Sequence, residues 1–243
     1  MLRCATVRLT FMEMRNIEQF LLRTEDEMDF LPIIPLNESD QEDLNDVEVP
    51  AEIALLPLRN TVLFPGVVLP ITVGRDKSIK AVNEAYKGDK LIGVVAQKDS
   101  NVEDPGINDI ESIGTVAKIV KMIKMPDGGT TIIIQGKNRF HIHEFMQEDP
   151  YLTAKFDLLT EPVLNVNSKE AKALVQSLKD SALKILKLNP EIPQEAQIAL
   201  DNISSMSFLV HFLSSNLNVD VSDKQKILET HNLIERGTLL LQF

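Results

Sequence analysis

The stretch "LPLRNTVLFPGVVLPITVGRDKSIKAV", residues 56–82, sets three prolines, two arginines and a Pro-Gly pair inside an otherwise apolar run. Proline lacks an N–H and fixes φ, so Pro57, Pro65 and Pro70 belong at strand ends or on a strand edge, and "FPG" reads as a tight turn built on Pro65 and Gly66. Two short strands joined by that turn are the expected local structure. After "GRD" the apolar positions Ile79, Val82, Ala85 and Tyr86 recur at helical spacing, and Gly88 stands where a left-handed cap would end the helix. The planar fork of Arg59 suits donation to backbone carbonyls or to a carboxylate, so it is expected to hold a loop. Pro57, Arg59, Pro65, Gly66 and Pro70 therefore read as architecture rather than as ligand contacts, because Pro and Gly act first through the backbone.

Outward from this stretch, "EIALLPL", "VVLPITV", "LIGVVAQ", "GTVAKIVKMIKM", "TTIIIQGKNRFHIHEF" and "YLTAKFDLL" are rich in Val, Ile and Thr with turn residues between them. "MPDGGT", residues 125–130, is a hairpin signal. Short strands with one helix over residues 51–162 predict a small, mixed, partly closed β-barrel. After "TEPVLNVN" the period changes. Asn167 and Glu170 form a capping-box pattern, and Ala171, Leu174, Val175, Leu178, Ala182, Ile185 and Leu186 share one helical face. "LNPEIPQEA" starts a second helix and "SFLVHFLSSNL" makes a third. Ser222 and Gln225 read as the cap of a fourth, running from Asp223 towards the end with Gly237 inside it at a cost of about 1 kcal/mol relative to Ala. Residues 163–243 thus read as an α-helical bundle whose apolar end, "TLLLQF", looks cut rather than finished. The fold class is α+β.

The chain has 243 residues, 44% of them apolar, and a net charge of −11 from 25 basic and 36 acidic side chains. The acidity is local: Glu25 to Glu48 holds ten Asp or Glu and no Lys or Arg. Residues 1–50 therefore read as a flexible acidic leader, with "FLPIIPL" at 30–36 an apolar island that is either solvated tail or a short docking element. The first dozen residues carry Arg3 and Arg8 without an acid, in the manner of a very short presequence, and Met12 and Met14 are alternative starts. The balance of charge argues against nucleic-acid binding, which needs clustered Lys and Arg. A single cysteine, Cys4, excludes an intramolecular disulfide. No run approaches the roughly 18 apolar residues that span a membrane. A cytoplasmic protein is expected.

Chemistry is scarce. Neither GxxxxGK[ST] nor GxGxxG occurs, so no glycine loop brings backbone N–H groups to a phosphate. A GxSxG elbow is missing as well. His141 and His143 lie two apart on a predicted strand and share a face, but zinc needs a third ligand and Glu144 points the other way. They read as surface or half-buried strand residues, and His211 and His231, on bundle helices, read as non-ligands too. The carboxylates of "NVEDPGINDIES", residues 101–112, lie in a solvated loop where nothing separates their pKa values. No catalytic or metal-ligating set is expected.

"PLRNTVLFPGVVLPITVGRDKSIKAV", "VVAQKDSNVEDPGIND" and "IGTVAKIVKMIKMPDG" together closely resemble the N-terminal substrate-binding domain of the ATP-dependent Lon proteases. The likeness runs on through "GKNRFHI" and, more weakly, through "IPQEA" and "DKQKILETHNLIERG"; "SSMSFLVHFLSSNL" and Gly237 depart from the family pattern. The resemblance implies a PUA-like barrel joined to a helical bundle. In the full-length protein it implies an AAA+ ATPase module, with its ATP and magnesium, and a Ser-Lys protease module working in a hexamer. It also implies a role in protein quality control, with unfolded or damaged polypeptides as partners and no enzymatic activity in this chain alone. A stand-alone adaptor that binds a partner protein or small ligand is the alternative reading, and an enzyme with an unrecognised site is a third.

A module that captures unfolded chains needs exposed apolar surface. In "TTIIIQG", if Ile132 and Ile134 face the core then Ile133 faces away, to pack on the helical lobe or to meet substrate. Met122 and Met125 flank the hairpin, where unbranched side chains suit varied sequences. Val67 stands beside the FPG turn. Val67, Met122, Met125 and Ile133 are the candidate substrate contacts, and Ile133→Asp or Met125→Asp is expected to weaken binding without changing the melting curve.

Overall fold

The structure, a computed structural model, describes residues 50–124, 129–161, 168–188, 197 and 200–243. The acidic leader, the hairpin tip with Met125, and Asn167 lie outside them. Six strands form one mixed sheet: β1 (Glu52–Leu58), β2 (Val68–Val73), β3 (Leu91–Ala96), β4 (Ile113–Lys124), β5 (Thr130–Gln147) and β6 (Thr153–Leu158). Their order is β2-β5-β4-β3-β1-β6, and β6 also pairs with β5, so five strands close into a ring while β2 lies outside it as an edge. β1 and β3 are parallel and the other pairs are antiparallel. β4 and β5 flank the expected hairpin, pairing up to Lys124 and Thr130.

The eighteen residues of β5 serve two neighbourhoods because bulges bend it. Its first half pairs with β2 and β4, and its second half with β4 and β6. Every residue of β3 is buried, as a strand with both faces covered requires. Ile92 and Val94 join Ala117, Ile119, Ile132 and Ile134 in a core sealed by the first helix. Leu91 and Val95 join Val116, Phe140, Ile142 and Ala154 in a second core, on the other side of the strand.

That helix, α1 (Asp76–Lys87), presents Ser78, Ala81, Val82 and Ala85 to the sheet. Gly88 ends it with φ −88°, donating its N–H to the carbonyls of Glu84 and Ala85, so the left-handed cap expected there is absent. The positive φ falls two residues later, at Lys90.

The helical half contains α2 (Lys169–Leu188), α3 (Met206–Asn216), α4 (Val221–Glu229) and α5 (Leu233–Leu240). At the start of α2 the Ser168 hydroxyl accepts from the Ala171 N–H. The long last helix expected from sequence is two helices. Asn232 accepts from the Ile234 N–H and starts α5 anew, while α4 begins one residue before Ser222, with Asp220 as its N-cap residue and no side-chain cap bond. Gly237 sits where a Cβ would lie 2.9 Å from Leu174 Cδ2, so its propensity cost is offset by close approach of α5 to α2. Among the described residues no helix is long and apolar enough to cross a membrane.

Candidate functional site

Two regions stand out: the seam between the sheet and the helices, and the face of β2, β5 and β4 that lies opposite α1. The opening stretch builds the seam. Gly66 has φ 78°, a conformation that glycine tolerates and other residues rarely adopt, and the Val67 N–H returns to the Phe64 carbonyl at 3.2 Å, closing the turn. The turn is pinned to β5, where the Gly66 N–H donates to the Gly136 carbonyl and the Gly136 N–H to the Val67 carbonyl, both at 2.9 Å. A Cβ on Gly136 would run into the Phe64 carbonyl oxygen, so this close approach needs glycine. Phe64 and Val67 are thereby driven into the core of the helical half, among Leu174, Leu209, Val210 and Ile227.

Charge is buried beside this apolar contact. Arg139 on β5 is 2% exposed and Arg236 on α5 is 0% exposed, and both guanidinium groups donate to Glu161 Oε1, at 3.0 and 3.2 Å. Arg139 also donates to the carbonyls of Leu228 (2.6 Å), Thr230 (3.1 Å) and His231 (3.4 Å), which line the break between α4 and α5. Arg236 donates to Thr230 at 2.8 Å. Its Nη1 lies 2.7 Å from Nε2 of buried His211. Arginine can only donate, so Nε2 accepts, and the ring proton is left on Nδ1 for the Pro65 carbonyl that the imidazole also meets. Burial, then the two neighbouring cations, hold His211 well below the ordinary histidine pKa, so it is neutral. Burial, reinforced by Arg139, lowers Arg236 to about 10, still charged at neutral pH.

The second region follows from the pleat. Side chains alternate across a strand, and residues paired across strands share a face. Leu69, Ile134 and Ile119 are in register, as are Ile71, Ile132 and Met122, and all six face the α1 side. The opposite face therefore carries the rows Val68–Gln135–Lys118, Pro70–Ile133–Lys121 and Thr72–Thr131–Ile123. A bulge between Ile119 and Lys121 adds Val120, which is 53% exposed. Val68, Pro70 and Ile123 are half-buried, and with Val120 and Ile133 they belong to none of the three buried clusters.

Several expected contacts fall elsewhere. Val67 is 6% exposed and packs in the seam, carried inward by the turn, so it presents no surface. Met122 is half-buried on the α1 side. Met125 lies outside the described residues. Ile133 does turn away from Ile132 and Ile134, but at 4% exposure it is the floor of the outer face between Pro70 and Lys121. An Ile133→Asp change would bury a carboxylate, so it is no neutral probe. Of the architectural residues, Pro57 is buried in β1 and Pro70 lies in the middle of edge strand β2. Arg59 stands exposed. The guanidinium that holds a loop here is Arg75, which donates to the Pro57 carbonyl (3.4 Å) and to Gln97 Oε1 (2.9 Å). His141, His143 and His231 are exposed, and His231 lies between helices rather than on one. No group of three or more His, Cys, Asp or Glu able to hold a metal ion occurs among the described residues.

Residues 52–243 match the family described as the ATP-dependent protease La (LON) substrate-binding domain. The Lon protease of Cytophaga hutchinsonii is 54% identical over 215 residues, covering 88% of this chain and 26% of that protein. That of Flavobacterium johnsoniae is 48% identical over 217 residues, covering 89% and 26%. The chain thus spans about a quarter of the length of these relatives. The N-terminal domain of the Mycobacterium avium complex Lon protease has a similar fold, with a TM-score of 0.65 at 22% identity over 79% of this chain and 96% of that one. Family match, relatives and fold agree, and the chain belongs to the Lon substrate-binding domain family.

Proposed function

We propose that this chain is the substrate-recognition domain of an ATP-dependent Lon protease and that it holds unfolded or damaged polypeptide on the outer face of β2, β5 and β4. The observation that carries the reading is that face: Val68, Pro70, Val120 and Ile123, floored by Ile133, form apolar surface belonging to no core of the described residues. Unfolded chains differ from folded ones chiefly in exposing apolar side chains, and a half-buried apolar face recognises that property without demanding a sequence. The ring of five strands supports the PUA-like barrel reading.

In the full-length protein, a cytoplasmic hexamer in this reading, the domain would deliver its cargo to an AAA+ ring and contribute to assembly. ATP, magnesium and the Ser-Lys dyad would belong to those other modules. The seam gives the helical half a defined orientation relative to the binding face, which delivery requires. Anisotropy of a labelled, permanently unfolded polypeptide, titrated with the full chain, tests the reading: saturable binding that the folded form of the same polypeptide lacks is expected. Val120→Asp together with Ile123→Asp should weaken binding about tenfold, equivalent to about 1.4 kcal/mol. Equal binding by the double variant would remove the face from consideration.

A further inference from the structure

The same outer face has a candidate occupant in the chain itself. The leader contains one apolar island, Phe30-Leu31-Pro32-Ile33-Ile34-Pro35-Leu36, bounded by Asp29 on one side and by Glu38 and Asp40 on the other. The outer face is its complement in kind: apolar at Val68, Pro70, Val120 and Ile123, with exposed Lys118 beside that apolar strip. Two prolines bias the island towards extended backbone, so it would meet a flat sheet face as a strip of side chains rather than as a helix.

Reach is sufficient. Thirteen residues separate Leu36 from the start of the described chain at Pro50, and at roughly 3.3 Å per step they span up to about 45 Å. A globular lobe of about 100 residues has a radius of gyration near 13 Å, so a tether of this length is comparable with the path from one face of the sheet lobe to the next. A tether of this length holds its segment at an effective concentration in the millimolar range, so weak intrinsic affinity suffices for high occupancy.

We infer that residues 30–36 dock on the outer face of β2, β5 and β4 as an internal competitor of substrate, an inference that rests on the proposed function of that face. Unfolded polypeptide then has to displace the leader. The device sets a threshold: segments more apolar than the island displace it, and weakly apolar or acidic segments do not. If the leader occupies the face nine-tenths of the time, the apparent affinity for substrate is lowered about tenfold.

The test uses the full chain with Cys4→Ser and a nitroxide label at Ser39→Cys, read by paramagnetic broadening of backbone amides. Selective broadening at Val68, Val120 and Ile123, lost in Ile33→Ser/Ile34→Ser and reduced by added salt, is the expected result. The same double substitution should tighten binding of a permanently unfolded polypeptide about tenfold. Broadening that is absent, or that is spread evenly over both halves, overturns the inference, and so does an affinity that the double substitution leaves unchanged. Leader and face fail separately. Polypeptide that perturbs the Val68, Val120 and Ile123 amides without any leader broadening removes only the competitor. Leader broadening with no polypeptide bound to either chain removes the substrate reading and keeps the docking.

Discussion

The seam and the outer face break the ordinary rules of burial in opposite ways. At the seam two guanidinium groups are taken out of water, and at the outer face Val120 is left 53% exposed beside half-buried Val68, Pro70 and Ile123. The seam resolves its anomaly internally: Glu161, the carbonyls of residues 228, 230 and 231, and the His211 ring satisfy Arg139 and Arg236. The apolar side chains of the outer face, Val68, Pro70, Val120, Ile123 and Ile133, join none of the cores among the described residues. An anomaly compensated within the fold points to architecture. One left open points to a partner.

The largest effect should come from breaking the seam. Arg236→Met leaves buried His211 Nε2 without its donor and leaves Glu161 and the Thr230 carbonyl with Arg139 alone, and should cost about 3–5 kcal/mol in urea unfolding. A near-neutral result would mean that the seam is not the closed network its geometry describes. Next, Gly136→Ala forces a methyl against the Phe64 carbonyl and should cost about 1–3 kcal/mol, with lowered amide protection around His211 because the turn withdraws from α3. Third is pH. The folded pKa of His211 is depressed, so the unfolded chain binds the extra proton. Its contribution is flat above about pH 6.5 and destabilising as pH falls below that value, by no more than about 1.4 kcal/mol per pH unit. His211→Gln should flatten that part of the profile of melting temperature against pH. Smallest of all, Val120→Asp should change stability by less than about 0.5 kcal/mol, since the side chain is 53% exposed. A larger loss would make Val120 part of a core and blunt the contrast between the two regions.

The two regions were unequally legible in sequence. Six strands, the first helix and the switch to helices at the middle of the chain follow from periodicity and turn residues, and the FPG turn is where Pro65 and Gly66 put it. The destination of that turn was not legible, because Phe64 and Val67 meet helices more than a hundred residues away. Arg139 and Arg236 look like ordinary surface arginines until the fold brings both to Glu161, and only His211 in an apolar run hinted at a buried polar group. Alternation gave the direction of Ile133 but not its depth, which Pro70 and Lys121 decide from neighbouring strands. The exposure of Val120 depends on a bulge, and no residue type announces one there. The split between α4 and α5 had a local signal in Asn232, a good N-cap, which the longer apolar pattern masked.

The most direct measurement is an amide chemical-shift titration of the full chain, carrying Ile33→Ser/Ile34→Ser, with a permanently unfolded polypeptide. Perturbations concentrated at Val68, Val120, Ile123 and Ile133, with the seam around Arg139 and Arg236 unmoved, are the expected result. Perturbations confined to the helical half, or to exposed Leu241 and Phe243 after α5, would contradict the assignment of substrate to the sheet face.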